Sequence, residues 1–178
     1  MILEQVIIAL SILISYFFQT SVGFFRLGDI NPDFLLILTI FFSIYRGTFT
    51  GLWVGFWGGL LQDINLGGYI DGFEQTTHYF IGINALPKAL IGYATGLIAK
   101  DINRDGSLIL FTLLLFSCII KGIIIFFEVA IFHGSNASQA IITVVLPESF
   151  YTALITILWF RVLKWAIPPV NERTSLYV

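Results

Sequence analysis

The chain has 178 residues, of which 57% are hydrophobic, 16% aromatic and only 11% charged, with a mean hydropathy of +0.91 and a formal net charge of -2. Soluble domains carry about 25% charged residues, so this composition excludes an ordinary water-soluble globule and predicts an integral membrane protein with one compact membrane domain. No basic run points to nucleic acid.

A bilayer core of about 30 Å needs about 20 helical residues, and the chain divides into six apolar segments near that length. They cover about residues 4–25, 32–45, 47–64, 79–99, 107–132 and 138–166. The expected fold is therefore an all-α six-helix transmembrane bundle over residues 1–166, followed by a short cytoplasmic tail over 167–178. The first segment has no basic n-region and no small-residue cleavage site, so it reads as a retained helix rather than a signal peptide. Segment 2 is the shortest. Pro32 suits its first turn, and its apolar run from Phe34 to Ile44 is interrupted only by Thr39 and Ser43. Tyr45, Arg46 and Gly47 join it to segment 3 so tightly that the two must form an antiparallel hairpin.

Segment 3 carries glycine at every fourth position, Gly47, Gly51, Gly55 and Gly59, before Gln62 and Asp63. Each glycine costs a helix about 1 kcal/mol relative to alanine. In a bilayer, where packing rather than water exclusion drives helix association, such a stripe serves as a docking face. The contact lies either within the bundle or on a partner. Gly92 and Gly96 supply a second, single step of this kind in segment 4.

Beyond segment 3, the connection from Asn65 to His78 contains Gly67, Gly68, Tyr69, Asp71, Gly72, Phe73 and Glu74. It reads as an ordinary connector whose aromatic residues suit the interface. Asp63 marks either a solvated helix end or a cap or hydrogen-bond anchor that holds the following turn at Asn65, Gly67 and Gly68 against the bundle. Glu128 falls toward the outer end of segment 5, and Glu4, Arg26 and Asp33 read as interfacial. The tail stops its helix at Pro168 and Pro169 and is too polar to fold alone.

Lysine and arginine placement sets the orientation, because short cytoplasmic loops are enriched in them. With both termini inside, Arg46, Lys100, Arg104, Arg161, Lys164 and Arg173 are cytoplasmic and only Arg26 is outside. Lys88 and Lys121 then lie within the membrane, as does Glu148, and intramembrane charge is a functional hypothesis by default. Lys88 precedes Lys100 by 12 residues and Glu148 precedes Arg161 by 13, so the two lie at similar depth. Glu148 is expected to pair with Lys88 or Lys121. Pro87 and Pro147 precede two of these charges and are expected to kink their helices and open space for the pair.

Catalytic chemistry finds no foothold. His78 and His133 are isolated, without metal-ligand spacing, and no Walker A, HExxH or GxSxG motif occurs. Ser11, Ser15, Ser43, Ser117 and Ser149 have no histidine or lysine base at a recognisable spacing and read as packing or backbone-bonding residues. Cys118 is alone, so no internal disulfide is possible. No catalytic residue, cofactor or metal site is expected.

Several stretches, in order, resemble the rod shape-determining protein MreD family. They are Asn31-Pro32-Asp33, then Gly55-Phe56-Trp57-Gly58-Gly59-Leu60-Leu61-Gln62-Asp63, then Gly82-Ile83-Asn84-Ala85-Leu86 with Leu90-Ile91-Gly92-Tyr93 and Gly96, and finally Leu146-Pro147 with Tyr151-Thr152. The connector between Gly68 and Gly82 is longer than the family pattern leads one to expect. The resemblance implies a noncatalytic subunit of the bacterial elongation machinery in the cytoplasmic membrane. It would bind the bitopic protein MreC and act with MreB, RodA and penicillin-binding protein 2. It also implies a fold similar to the S components of energy-coupling-factor transporters, which supplies the alternative of a small-molecule-binding transporter subunit. Such subunits often carry an alanine-based small-xxx-small motif on the first helix. Here Ser11 and Ser15 are the nearest equivalent.

Overall fold

The computed structural model describes residues 2–21, 23–25, 27, 30–65, 69–70, 77–78, 82–99, 106–133 and 145–167. Within them run six α-helices: α1 (Ile2–Ser21), α2 (Phe34–Arg46), α3 (Thr48–Asn65), α4 (Ala85–Ile98), α5 (Ser107–His133) and α6 (Leu146–Ala166). A two-residue antiparallel ladder, Tyr69–Ile70 with Thr77–His78, lies between α3 and α4. Three helices are long and apolar enough to cross a membrane, at Leu3–Thr20, Leu108–Phe127 and Leu146–Ala166, and α2 and α4 are shorter apolar helices.

The shortest apolar segment turns out to be the centre of the molecule. Every residue of α2 from Phe34 to Ile44 is buried, and α1, α3, α4, α5 and α6 all pack on it. A helix that is apolar on every side has no face for solvent and is stable only when surrounded. Thr39 and Ser43 fit this setting by donating to the carbonyls of Leu35 and Thr39, one turn back, at 2.7 Å each. Ser11 and Ser149 do the same to Ile7 and Val145. Aromatic rings of α1 and α6 close over the start of α2, where Phe34 lies 4.7 Å from Trp159 and 6.2 Å from Phe18 between ring centres.

Two helix ends differ from expectation. α1 stops at Ser21, and a single 3-10 turn follows at Gly23–Phe25. α4 starts at Ala85 rather than near residue 79, after a turn in which Gly82 has a φ of +115°. Pro87 is the third residue of α4 and Pro147 the second of α6. Both therefore stand in a first turn, where a missing N–H leaves no bond unmade. They start their helices instead of kinking them. Arg26, Gly67, Gly68, Asp71, Gly72, Phe73, Glu74, Lys100, Arg104, Pro168, Pro169 and Arg173 are outside the described residues, as are the side chains of Tyr69, His78, Glu128 and His133.

Candidate functional site

Two features meet at the middle of the bundle. The first is the seam between α3 and α4, the most extensive helix pairing in the chain. A Cβ on Gly55 would fall on the backbone of Lys88 and Ala89. One on Gly59 would meet Ala85 and the Asn84 carbonyl. Gly51 and Gly92 face each other's carbonyls, and a Cβ on Gly96 would strike Thr48. Glycine on both helices thus brings two backbones into direct contact, the geometry that small residues permit in apolar surroundings. Gly47 is different. It lies in the α2–α3 turn with φ +94° and ψ 178°, and a Cβ there would have open space.

The second feature is a layer of charge. Asp33 is the N-cap of α2, its Oδ1 accepting from the Leu36 N–H at 3.0 Å. The same carboxylate takes Lys88 Nζ at 3.1 Å on Oδ1 and Lys121 Nζ at 2.8 Å on Oδ2. Lys121 continues to Glu148 Oε1 at 2.6 Å, and Lys88 donates to Gln62 Oε1. Thr152 accepts from the Asp33 N–H at 3.2 Å. Two carboxylates and two ammonium groups therefore form a neutral chain drawn from α2, α4, α5 and α6, with α3 contributing Gln62. Lys88 and Asp33 are fully enclosed, whereas the Glu148 side chain is 25% exposed.

Asp33, which reads as interfacial in the sequence, is enclosed by protein, with its side chain only 1% exposed. Thirteen residues make α2 about 20 Å long, too short for a core of about 30 Å. Glu148 bonds to Lys121, while Lys88 belongs to Asp33.

A related device holds the start of α4. Asp63 is buried and accepts from the N–H groups of Gly82 (2.9 Å), Asn84 (2.8 Å) and Ala85 (3.2 Å), and from Asn84 Nδ2 at 3.0 Å. It is buried rather than a solvated helix end, and it acts as a hydrogen-bonding cap whose described partners lie in the turn that precedes α4; Gly67 and Gly68 lie outside the described residues. Asp33, Asp63 and Glu148 thus stand at the N-terminal ends of α2, α4 and α6, where the orphan N–H groups and the helix dipole favour negative charge. The two lysines balance the layer from within the bundle.

Sequence spacing brought Lys88, Lys121 and Glu148 to one level but left out Asp33, Gln62 and Thr152. The signal for Asp33 was its place as an N-cap residue before an apolar helix. Among the described residues, no group of three histidine, cysteine or acidic side chains is arranged to hold a metal ion.

A sequence model of the rod shape-determining protein MreD family matches residues 1–166. The chain belongs to the MreD family. This membership makes it a membrane protein of rod-shape determination. Neither the curated proteins nor the solved structures contain a match to it. The stretches through which the sequence resembles the family also build the site. Residues 31–33 supply Asp33, residues 55–63 the seam with Gln62 and Asp63, residues 82–86 the turn capped by Asp63, and Thr152 the bond to the α2 N-cap.

Proposed function

We propose that this chain is a noncatalytic scaffold of the rod complex. It crosses the bacterial cytoplasmic membrane six times with both termini inside and binds an MreC-like bitopic protein, in company with MreB, RodA and penicillin-binding protein 2. The observation that carries the reading is the family match over residues 1–166. The interior supports it as well. The charges of the central layer are spent on one another and on a helix end, as a rigid assembly platform requires, and each of them has an ion-pair partner. The orientation rests on the lysine and arginine bias, and Arg46 and Lys164 lie toward one end of the bundle, with Lys164 over the Tyr45 ring at 5.5 Å. α4 fills the glycine seam, so a partner helix meets another surface.

Affinity purification in mild detergent tests the reading. Coelution with a protein that has one membrane helix and a large extracytoplasmic coiled coil is the expected result. Coelution with an ATPase module would favour the transporter subunit instead. Reporter fusions after residue 178 should be active only in the cytoplasm, and a reporter active only outside would overturn the six-span topology.

A further inference from the structure

The face of α3 opposite the glycines carries its own four-residue series, Phe49, Trp53, Trp57 and Leu61. This series is one wall of a groove of about 700 Å³, and α1 forms the other with Ile8, Ile12 and Leu13. We propose that the groove holds an acyl chain of one phospholipid from the leaflet that meets the N-terminal end of α1, with an amine-bearing head group at Glu4.

Three properties select this occupant. The groove is amphipathic along its length. Its polar lining, Glu4, Gln5 and Thr50, lies at the helix-start end of both walls, and the remainder is apolar or aromatic. Its extent also fits. From Phe49 to Leu61 is 12 residues, or about 18 Å of helix, close to the roughly 15 Å of one leaflet and well short of the roughly 30 Å that a spanning partner helix would need. The charge is specific too. Arg46 engages Glu4 Oε1 at 3.2 Å, yet the Glu4 side chain remains 49% exposed while that of Arg46 is 13% exposed. The mouth therefore presents a carboxylate to the lipid surface, which favours an ammonium-bearing head group such as that of phosphatidylethanolamine over a purely anionic one such as that of phosphatidylglycerol. In a bilayer this apolar space does not stay empty, and a chain end with a matching polar head fills it without leaving a polar group unsatisfied.

The test uses the full chain in nanodiscs of equal phosphatidylethanolamine and phosphatidylglycerol, transferred to mild detergent and examined by native mass spectrometry. One retained phospholipid, enriched in the ethanolamine form, is expected. Ala9→Trp adds an indole to the groove lining and should reduce retention at least about tenfold at an unchanged melting temperature. Glu4→Gln should keep the lipid but lower the head-group preference about two- to fivefold, the scale of an exposed ion pair. If Ala9→Trp fails to fold, the Glu4→Gln comparison alone decides. No retained lipid, unchanged retention in a folded Ala9→Trp variant, a preference that survives Glu4→Gln, or a cysteine at position 9 that crosslinks to a partner helix would each overturn the assignment. None of these outcomes depends on coelution with an MreC-like protein.

Discussion

Between α3 and α4 the chain removes side chains, whereas around Asp33 it inserts charged ones into the same apolar interior. Each device solves a problem that a bilayer creates. Exclusion of water does not pull helices together there, so close backbone contact does. Helix starts buried in an apolar interior find no water for their first N–H groups, so carboxylates satisfy them. The two devices share one residue. The Lys88 backbone lies against Gly55 while its ammonium reaches Asp33. The seam therefore sets the position of the charge layer, and damage to the seam should cost both.

Gly55→Leu tests this most severely. Its side chain would have to enter the space held by the Lys88 and Ala89 backbone, which cannot rotate away as a side chain can. Overpacking that must move backbone is expected to cost more than about 3 kcal/mol. The measurable outcome is loss of monodisperse protein in size-exclusion chromatography. A well-folded Gly55→Leu protein would show that the seam is not close.

Asp33→Asn separates the layer from the cap. Asparagine caps a helix about as well as aspartate, so the Leu36 bond survives while Lys88 and Lys121 lose their shared counterion. Breaking a buried pair by removing one charge costs about 3–5 kcal/mol, which should appear as a large fall in melting temperature in detergent. Equal melting of Asp33→Asn and wild type would mean that the carboxylate acts only as a cap.

These two regions were not equally readable in the sequence. The seam was visible because four-residue spacing of glycine has few other uses in an apolar run, although sequence could not tell an internal contact from an external one. The pairing of Glu148 was visible only as a choice between Lys88 and Lys121, because counting residues from a helix end gives depth but not azimuth. Asp33 reads as interfacial in the sequence, and its enclosure depends on Lys88 and Lys121, which reach it from α4 and α5 and which no local pattern links to it. Asp63 reads in the sequence as a solvated helix end or a hydrogen-bonding cap, and its partners before α4 are not legible there, since they lie 19 to 22 residues away in a turn whose approach no local pattern announces. The groove between α1 and α3 depends on how two non-consecutive helices lean, and periodicity does not encode that angle.

Glu148→Gln separates the outer member of the charge layer from its enclosed centre. Glu148 is partly exposed and, among the described lysines, is bonded to Lys121 alone, so its neutralisation should cost less than that of Asp33. A loss of about 1.5–3 kcal/mol is expected, the scale of a hydrogen bond to a charged group. In double-mutant cycles with Lys88→Met and Lys121→Met, coupling should be larger for Lys121. Larger coupling to Lys88 would reverse the assignment of partners.

Gly47→Ala carries the smallest expected effect and separates two meanings of glycine within one spacing. Gly47, Gly51, Gly55 and Gly59 look alike in sequence, but only the last three touch α4. Gly47 is required for its backbone, since φ +94° with ψ 178° is a region that residues with a Cβ almost never occupy. Alanine there meets no neighbour and should cost about 1 kcal/mol, the lower part of the range for such strain, because the turn can shift without moving a packed helix. Gly51→Ala, by contrast, places its methyl against Ser43 and the Gly92 carbonyl, and its cost should fall when Ser43 is also shortened to glycine. No such rescue is expected for Gly47→Ala. Thermal melts of the two single variants and of each combined with Ser43→Gly measure the difference, and rescue of both or of neither would show that the four glycines do one job rather than two.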